Sequence, residues 1–220
     1  FESAREMAPE DDMRCRAWLG LADCMRLVDR YDDALAALDA AQTIADKNEM
    51  TAELSGIHFR RANIFFPLGR IDACLAEHEE AYRLGQQAGL RDAEARALGG
   101  LGDAYYQRGH MRTAEDNFRR CIALCRENGF DEIEAANLNM LANTRAYLLQ
   151  TGQSAHDYGE AIELTGRLGQ QRPHVIGLMG CHAKLELGDW AGALENIEKA
   201  LTVVERIGAR RFEAWCLAFK

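Results

Sequence analysis

Residues 97–118 read ALGGLGDAYYQRGHMRTAEDNF, and the reading of this stretch decides the fold. Leu98, Leu101 and Tyr105 recur at three- and four-residue spacing, the period of one face of an α-helix. Gly109-His110 then interrupts the pattern, and Ala114 and Phe118 resume it in a new phase. Two helices joined by a tight turn satisfy both halves. A glycine at the interruption supplies the left-handed backbone that closes a helix.

The pattern repeats in both directions. Helix-ending signals stand at Asn48, Gly89, Gly129, Gly169 and Gly208, at intervals of 41, 40, 40 and 39 residues. A second ladder lies between them in Asp29-Arg30, Gly69-Arg70, Gly109-His110 and Gly188-Asp189. Ala34, Leu38 and Ala41 share a phase with Cys74, His78 and Ala81, with Ala114, Phe118 and Cys121, and with Ala193, Ile197 and Ala200. Small residues at that spacing let helix backbones approach, and the larger ones fill the seam. One rung is out of step, because Gly152 falls three residues late. The fourth unit is therefore expected to have a longer first helix and a second helix that starts late. Leu141-Ala142, Tyr158 and Ala161 keep the phase around it. Only three prolines occur, as a chain built of helices requires. Pro173 is placed in a first helical turn.

In-phase units of this kind resemble the tetratricopeptide repeats, which carry a bulky residue, Leu-Gly, an aromatic, then Ala and a later aromatic. Leu98, Leu101-Gly102, Tyr105, Ala114 and Phe118 match most fully, and Trp18, Leu21-Ala22, Met25, Tyr31, Ala34 and Leu38 follow. Arg61 departs from the pattern, as do Gly180-Cys181 and Lys184. At about 40 residues the units exceed the usual 34, as in kinesin light chains, bacterial peptide-sensing regulators, and the C-terminal arms of nucleotidyl cyclases and ATPase-type transcription regulators. The resemblance implies an all-α, right-handed solenoid of antiparallel helix pairs. Repeats are expected at about 12–48, 51–89, 91–129, 131–169 and 171–208, with partial repeats at 1–9 and 209–220. Phe1, Ala4 and Pro9 match the tail of a repeat, and Arg211 to Lys220 the first helix of another. Neither end reads as a capping unit, so residues 1–220 are expected to be one solenoid segment from a larger protein. Exposed Phe212, Trp215, Leu217 and Phe219 would allow a homodimer through the C-terminal helix.

Composition sets limits on function. A net charge of -9 opposes nucleic-acid binding, which draws on clustered Lys and Arg. The basic pairs Arg60-Arg61, Arg119-Arg120 and Arg210-Arg211 sit among acids and are expected on solvated faces. Seven cysteines are odd in number with no C-x-x-C spacing, which fits free thiols in the cytoplasm. No apolar run reaches bilayer length and no leader is legible. Gly99-Gly100-Leu101-Gly102 lies inside a helix, so it reads as packing rather than a phosphate loop. Cys121 and Cys125 lie one helical turn apart yet hold the small-residue phase, and His58 and His78 take seam positions. No metal, cofactor or catalytic residue is expected, and this segment is not expected to be an enzyme.

In the family that the chain resembles, the first helix of each pair lines the concave groove. By phase that column is Asp23, Asn63, Asp103, Asn143 and His182, a set of polar residues suited to an extended peptide. Beside it stand Arg26, Phe66 and Tyr106, with Arg60, Asn139 and Tyr147 added as binding residues; aromatics and arginine are favoured anchors. Pro67, four residues after Asn63, would leave that carbonyl without its helical donor. The family's Lys and Asn carboxylate clamp does not carry over, because Leu19 and Asp23 stand at those positions. The acids at Asp23 and Asp103 favour a protein or peptide partner that is basic or neutral. The function implied is a protein-binding scaffold; the alternative is a regulatory C-terminal arm of a larger signalling protein that contacts its own catalytic domain.

Overall fold

A computed structural model describes residues 11–219. Their helices are α1 (Asp11–Leu27), α2 (Tyr31–Lys47), α3 (Thr51–Phe65), α4 (Ile71–Ala88), α5 (Arg91–Gln107), α6 (Met111–Asn128), α7 (Asp131–Tyr147), α8 (Thr151–Arg167), α9 (Gln171–Met179), α10 (His182–Glu186), α11 (Trp190–Ile207) and α12 (Arg210–Phe219). Strands are absent among the described residues, and the fold is all-α, made of antiparallel helix pairs. The chain divides into two compact units, one ending at Arg108 and the other beginning at Gly109. Residues 1–9, expected as the tail of a preceding repeat, lie outside the described residues.

The two ladders have a common cause. Asp29, Gly69, Gly109, Leu149 and Gly188 all have positive φ, as do Glu49, Gly89, Gly129, Gly169 and Gly208. The next N–H then turns back onto a carbonyl five residues earlier. Examples are Arg70 to Phe65 at 3.0 Å, Leu90 to Gly85 at 2.9 Å and Gln150 to Arg145 at 2.9 Å. Such bonds satisfy carbonyls that a helix end leaves open.

This geometry corrects two expectations. The fourth turn is not late, because Leu149 takes the left-handed position at φ 60° and keeps the 40-residue step. Helix α7 has 17 residues, as α5 does, and Gly152 is the second residue of α8. Likewise Glu49, at φ 53°, ends the first repeat. Asn48 beside it has φ -106°, and its amide Nδ2 donates to the Ile44 carbonyl at 2.8 Å and to Asp11 at 3.1 Å. Helix α3 stops at Phe65, two residues before Pro67.

Each unit buries its own apolar faces. In the first, Cys15, Leu19 and Ala22 of α1 pack with Leu38, Ala41, Ile57 and Ile64. Ala62, Cys74, Leu75, Leu101 and Ala104 form a second cluster. In the second unit, Val175, Leu178 and Cys181 meet Ala193, Ile197, Ala200 and Val204. Phe212 and Trp215 of α12 pack inward on this cluster, so two of the residues expected on an exposed C-terminal face are part of a core.

The Gly99–Gly102 run is a packing device. A Cβ on Gly100 would lie 2.2 Å from the ring of His78, which is 1% exposed and tilted against Phe59. Gly180 plays the same part for Tyr158, whose ring would meet a Cβ at 2.4 Å. Alanine at Gly100 favours a helix by roughly 1 kcal/mol in isolation. Here the clash with an enclosed ring should dominate, and Gly100→Ala is expected to destabilise by about 1–3 kcal/mol. Urea denaturation checks this, and adding His78→Ala should recover part of the loss.

Candidate functional site

The repeat phase places the column residues alike. Asp23, Asn63, Asp103, Asn143 and His182 are each half-buried, and each follows a buried small residue: Ala22, Ala62, Gly102, Ala142 or Cys181. The small residue faces the core, and its successor is turned toward the rim of the helix face. What surrounds each column residue differs between the units.

In the first unit, α1, α3 and the start of α5 enclose a cavity of about 490 Å³. It gathers Asp23, Arg26, Arg60 and Asn63 with Phe59, Asp92 and Arg96. Arg60 is not on a solvated face: its Nε donates to both carboxylate oxygens of Asp23 at 3.1 and 3.0 Å, and Nη1 to the Gly56 carbonyl at 3.1 Å. Its neighbour Arg61 is 8% exposed and donates to Asp39 at 2.9 Å and Gln42 at 2.8 Å. Both arginines of that pair are thus spent on neighbouring helices, because partial burial of a guanidinium demands partners. Arg26 forms no ion pair among the described residues, and Arg96 lies 3.9 Å from Asp92. The cavity therefore offers two loosely held guanidinium groups, an amide and an aromatic ring to a ligand.

Phe66, Asp103 and Tyr106 lie outside this lining. Phe66 packs on the cluster around Ala62 and Leu101. Removal from water raises the Asp103 carboxyl to about 7. His58 is paired with Glu77 at 2.6 Å rather than buried in apolar packing.

In the second unit, the Tyr158 hydroxyl donates to Asn143 Oδ1 at 2.5 Å, and the same ring stands edge-on to His182 with centroids 5.8 Å apart. Asn143 and His182 are thus joined through Tyr158. Asn139 is 4% exposed and lies against Gly177, so it is a core amide rather than a surface contact. Tyr147 is 66% exposed.

Sequence reasoning missed Phe59, Asp92 and Arg96 as cavity residues. The available signal was the 40-residue step from Gly56 to Arg96, both of which line the cavity. It also missed the ion network of the second unit. Arg145 donates through Nε to Glu115 at 3.0 Å and through Nη1 to Asp157 at 2.9 and 2.7 Å. Arg126 bonds Glu134 at 2.6 Å and Glu160 at 2.8 Å. His156, Asp157 and Glu160 bring their ligand atoms within 4.8 Å of one another. Both carboxylates of that group already serve an arginine.

Helix pairs closed at a 40-residue step, with a half-buried polar column on the first helices, make a tetratricopeptide-type fold. Residues 50–127 match the family model described as tetratricopeptide repeat. No curated protein matches the chain. Solved structures share the fold. BtubC from P. vanneervenii is 18% identical with a TM-score of 0.80, over 94% of this chain and 87% of that one. A signal transduction ATPase with numerous domains and a tetratricopeptide repeat sensor, from Pyrococcus horikoshii, is 13% identical with a TM-score of 0.77, over 91% of this chain and 31% of that one. A Rap protein complexed with competence and sporulation factor is 10% identical with a TM-score of 0.78, over 94% and 58%.

Proposed function

We propose that this chain is a non-catalytic scaffold that binds a protein or peptide on the face of its first helices. The observation that carries this reading is the first-unit cavity, where four residues of the expected site converge on one space. Its mixture of guanidinium, amide, carboxylate and aromatic groups suits a peptide backbone and short side chains. A Rap protein of the same fold was solved complexed with competence and sporulation factor, which supports a binding role for this fold. The five helix pairs are read as one run of repeats in a cytoplasmic protein.

The charge preference rests on different groups from those the sequence implied. Arg60 already neutralises Asp23. Asp103 is largely ionised only above about pH 7. A basic or neutral segment opposite Asp103 is therefore favoured at alkaline pH, and the preference should fade below neutrality.

Peptides retained from an immobilised array, titrated by fluorescence anisotropy, test the site. Arg26→Ala and Asn63→Ala are each expected to weaken binding by about tenfold, the loss of one good anchor. Arg83→Ala on α4, which is exposed and paired with Glu80, should change nothing. Equal losses in all three variants, or in none, would refute the assignment.

A second reading follows from the similarity to the ATPase with a tetratricopeptide repeat sensor. In it the same face docks on a neighbouring domain of its own chain. Binding in trans to that isolated domain, competed by the array peptides, would support it.

A further inference from the structure

We infer that the first-unit cavity takes an acidic side chain of the bound peptide, set three residues from a basic side chain that meets Asp103. This rests on the proposed binding face and names the chemistry that the face selects. The lining holds three arginines, Arg26, Arg60 and Arg96, against two aspartates, Asp23 and Asp92. That surplus of positive charge stands in a chain whose net charge is -9.

The charges are not engaged alike. Arg60 bonds both carboxylate oxygens of Asp23, and the two cancel. Arg96 and Asp92 are 3.9 Å apart with side chains 50% and 54% exposed, so that pair holds weakly. Arg26 is left. It is half-buried and lines the cavity, and its guanidinium has no ion pair among the described residues. A cation withdrawn from water without an acid is costly, and an acid supplied by the ligand removes that cost. Asn63, whose amide has no hydrogen bond among the described residues, adds N–H donors that a carboxylate accepts. One carboxylate balances the surplus, whereas a phosphate dianion would overshoot it and face Asp92.

Placement and spacing supply the rest. From the column at Asp23 and Asn63 the lining runs back along α3 to Ala52, and to Leu90 at the start of α5. The cavity therefore lies beside the column and receives what projects from a backbone laid along it, which is a side chain. Arg96 and Asp103 both lie on α5, two turns apart, so they share a face at a separation of about 10 Å. An extended peptide covers that distance in about three residues. Asp103 is half-buried with no ion pair among the described residues, so a cation placed there meets an unpaired carboxylate.

Hexapeptide mixtures blocked at both ends test this by fluorescence anisotropy at pH 8, where Asp103 is largely ionised. One carries glutamate and lysine three residues apart; the others replace the acid or the base by glutamine. Losing the acid should weaken binding about tenfold or more on the unaltered chain, and less than about twofold on Arg26→Gln. Losing the base should do the same on the unaltered chain, and less than about twofold on Asp103→Asn. No binding of the glutamate–lysine mixture up to about 1 mM, equal binding of all three, or losses that the protein variants leave unchanged would overturn the inference. So would tighter binding once the blocked end is replaced by a free carboxylate, since the anion would then be the chain end. Weaker binding of every mixture to Arg26→Ala and Asn63→Ala, with no difference between acid and amide, would remove this assignment and leave the binding face standing. Binding indifferent to all these variants would remove both.

Discussion

Replacing Arg145 with methionine should destabilise the second unit by about 3–5 kcal/mol, the loss typical when one partner of a buried ion pair is removed. The guanidinium is 16% exposed and bridges α6 to α8 through Glu115, 15% exposed, and Asp157, 5% exposed. Without it two carboxylates remain near one point with no cation between them. Burial already raises the Asp157 carboxyl, and Arg145 opposes that rise. In the variant this opposition is gone, so the folded state holds protons that the unfolded chain releases. Stability of the variant must then increase as pH falls towards the ordinary carboxylate range. Urea midpoints at pH 7 and pH 5 should show a deficit that narrows at the lower pH. Arg145→Lys should recover only part of it, because an ammonium cannot reproduce the planar fork. A deficit below about 1 kcal/mol, ordinary for an exposed pair, would show that the network is not structural.

Asp103→Asn should stabilise the first unit by an amount that depends on pH: close to nothing at pH 4 and on the order of 3 kcal/mol at pH 8. Burial raises this carboxyl from its ordinary 3.8 to about 7, so between those values the folded chain binds more protons than the unfolded one. Stability from this group therefore declines as pH rises through the window, and the amide escapes that decline. His78 works in the opposite sense. Burial lowers it from 6.5 to about 4, so the unfolded chain binds the extra proton and stability rises with pH across that interval. The two nearly cancel in the unaltered protein between pH 4 and 6.5. Asp103→Asn exposes the His78 contribution alone, and its stability should climb steadily across the same range. A stability difference that is constant with pH would contradict the Asp103 assignment, and a variant whose own stability is flat across this range would contradict that of His78.

The fold was legible because its period is carried by residues whose backbone role is local. Gly69, Gly89, Gly109, Gly129, Gly169, Gly188 and Gly208 mark closures that almost any packing would require. Where closure fell to another residue type the reading slipped, at Glu49 and Leu149, since side chains that disfavour positive φ give no signal that they will adopt it. The column on the first helices was legible for the same reason, as phase alone determines which residue follows the buried small one. The states of those residues were not. Asp23 is neutralised by a residue 37 positions away, Asn143 is held by Tyr158, and Asn139 is enclosed beneath Gly177. Partners of this kind depend on rotamers between neighbouring helices, which spacing does not encode.

Photo-crosslinking of a benzophenone-bearing peptide selected from the array, with the attached residues identified by mass spectrometry, tests the proposed binding face most directly. Attachment should concentrate on α1, α3 and the start of α5, at and around Arg26, Phe59 and Asn63, and fall away in Asn63→Ala. Attachment to α2 or α4 instead, undiminished by that substitution, would contradict it.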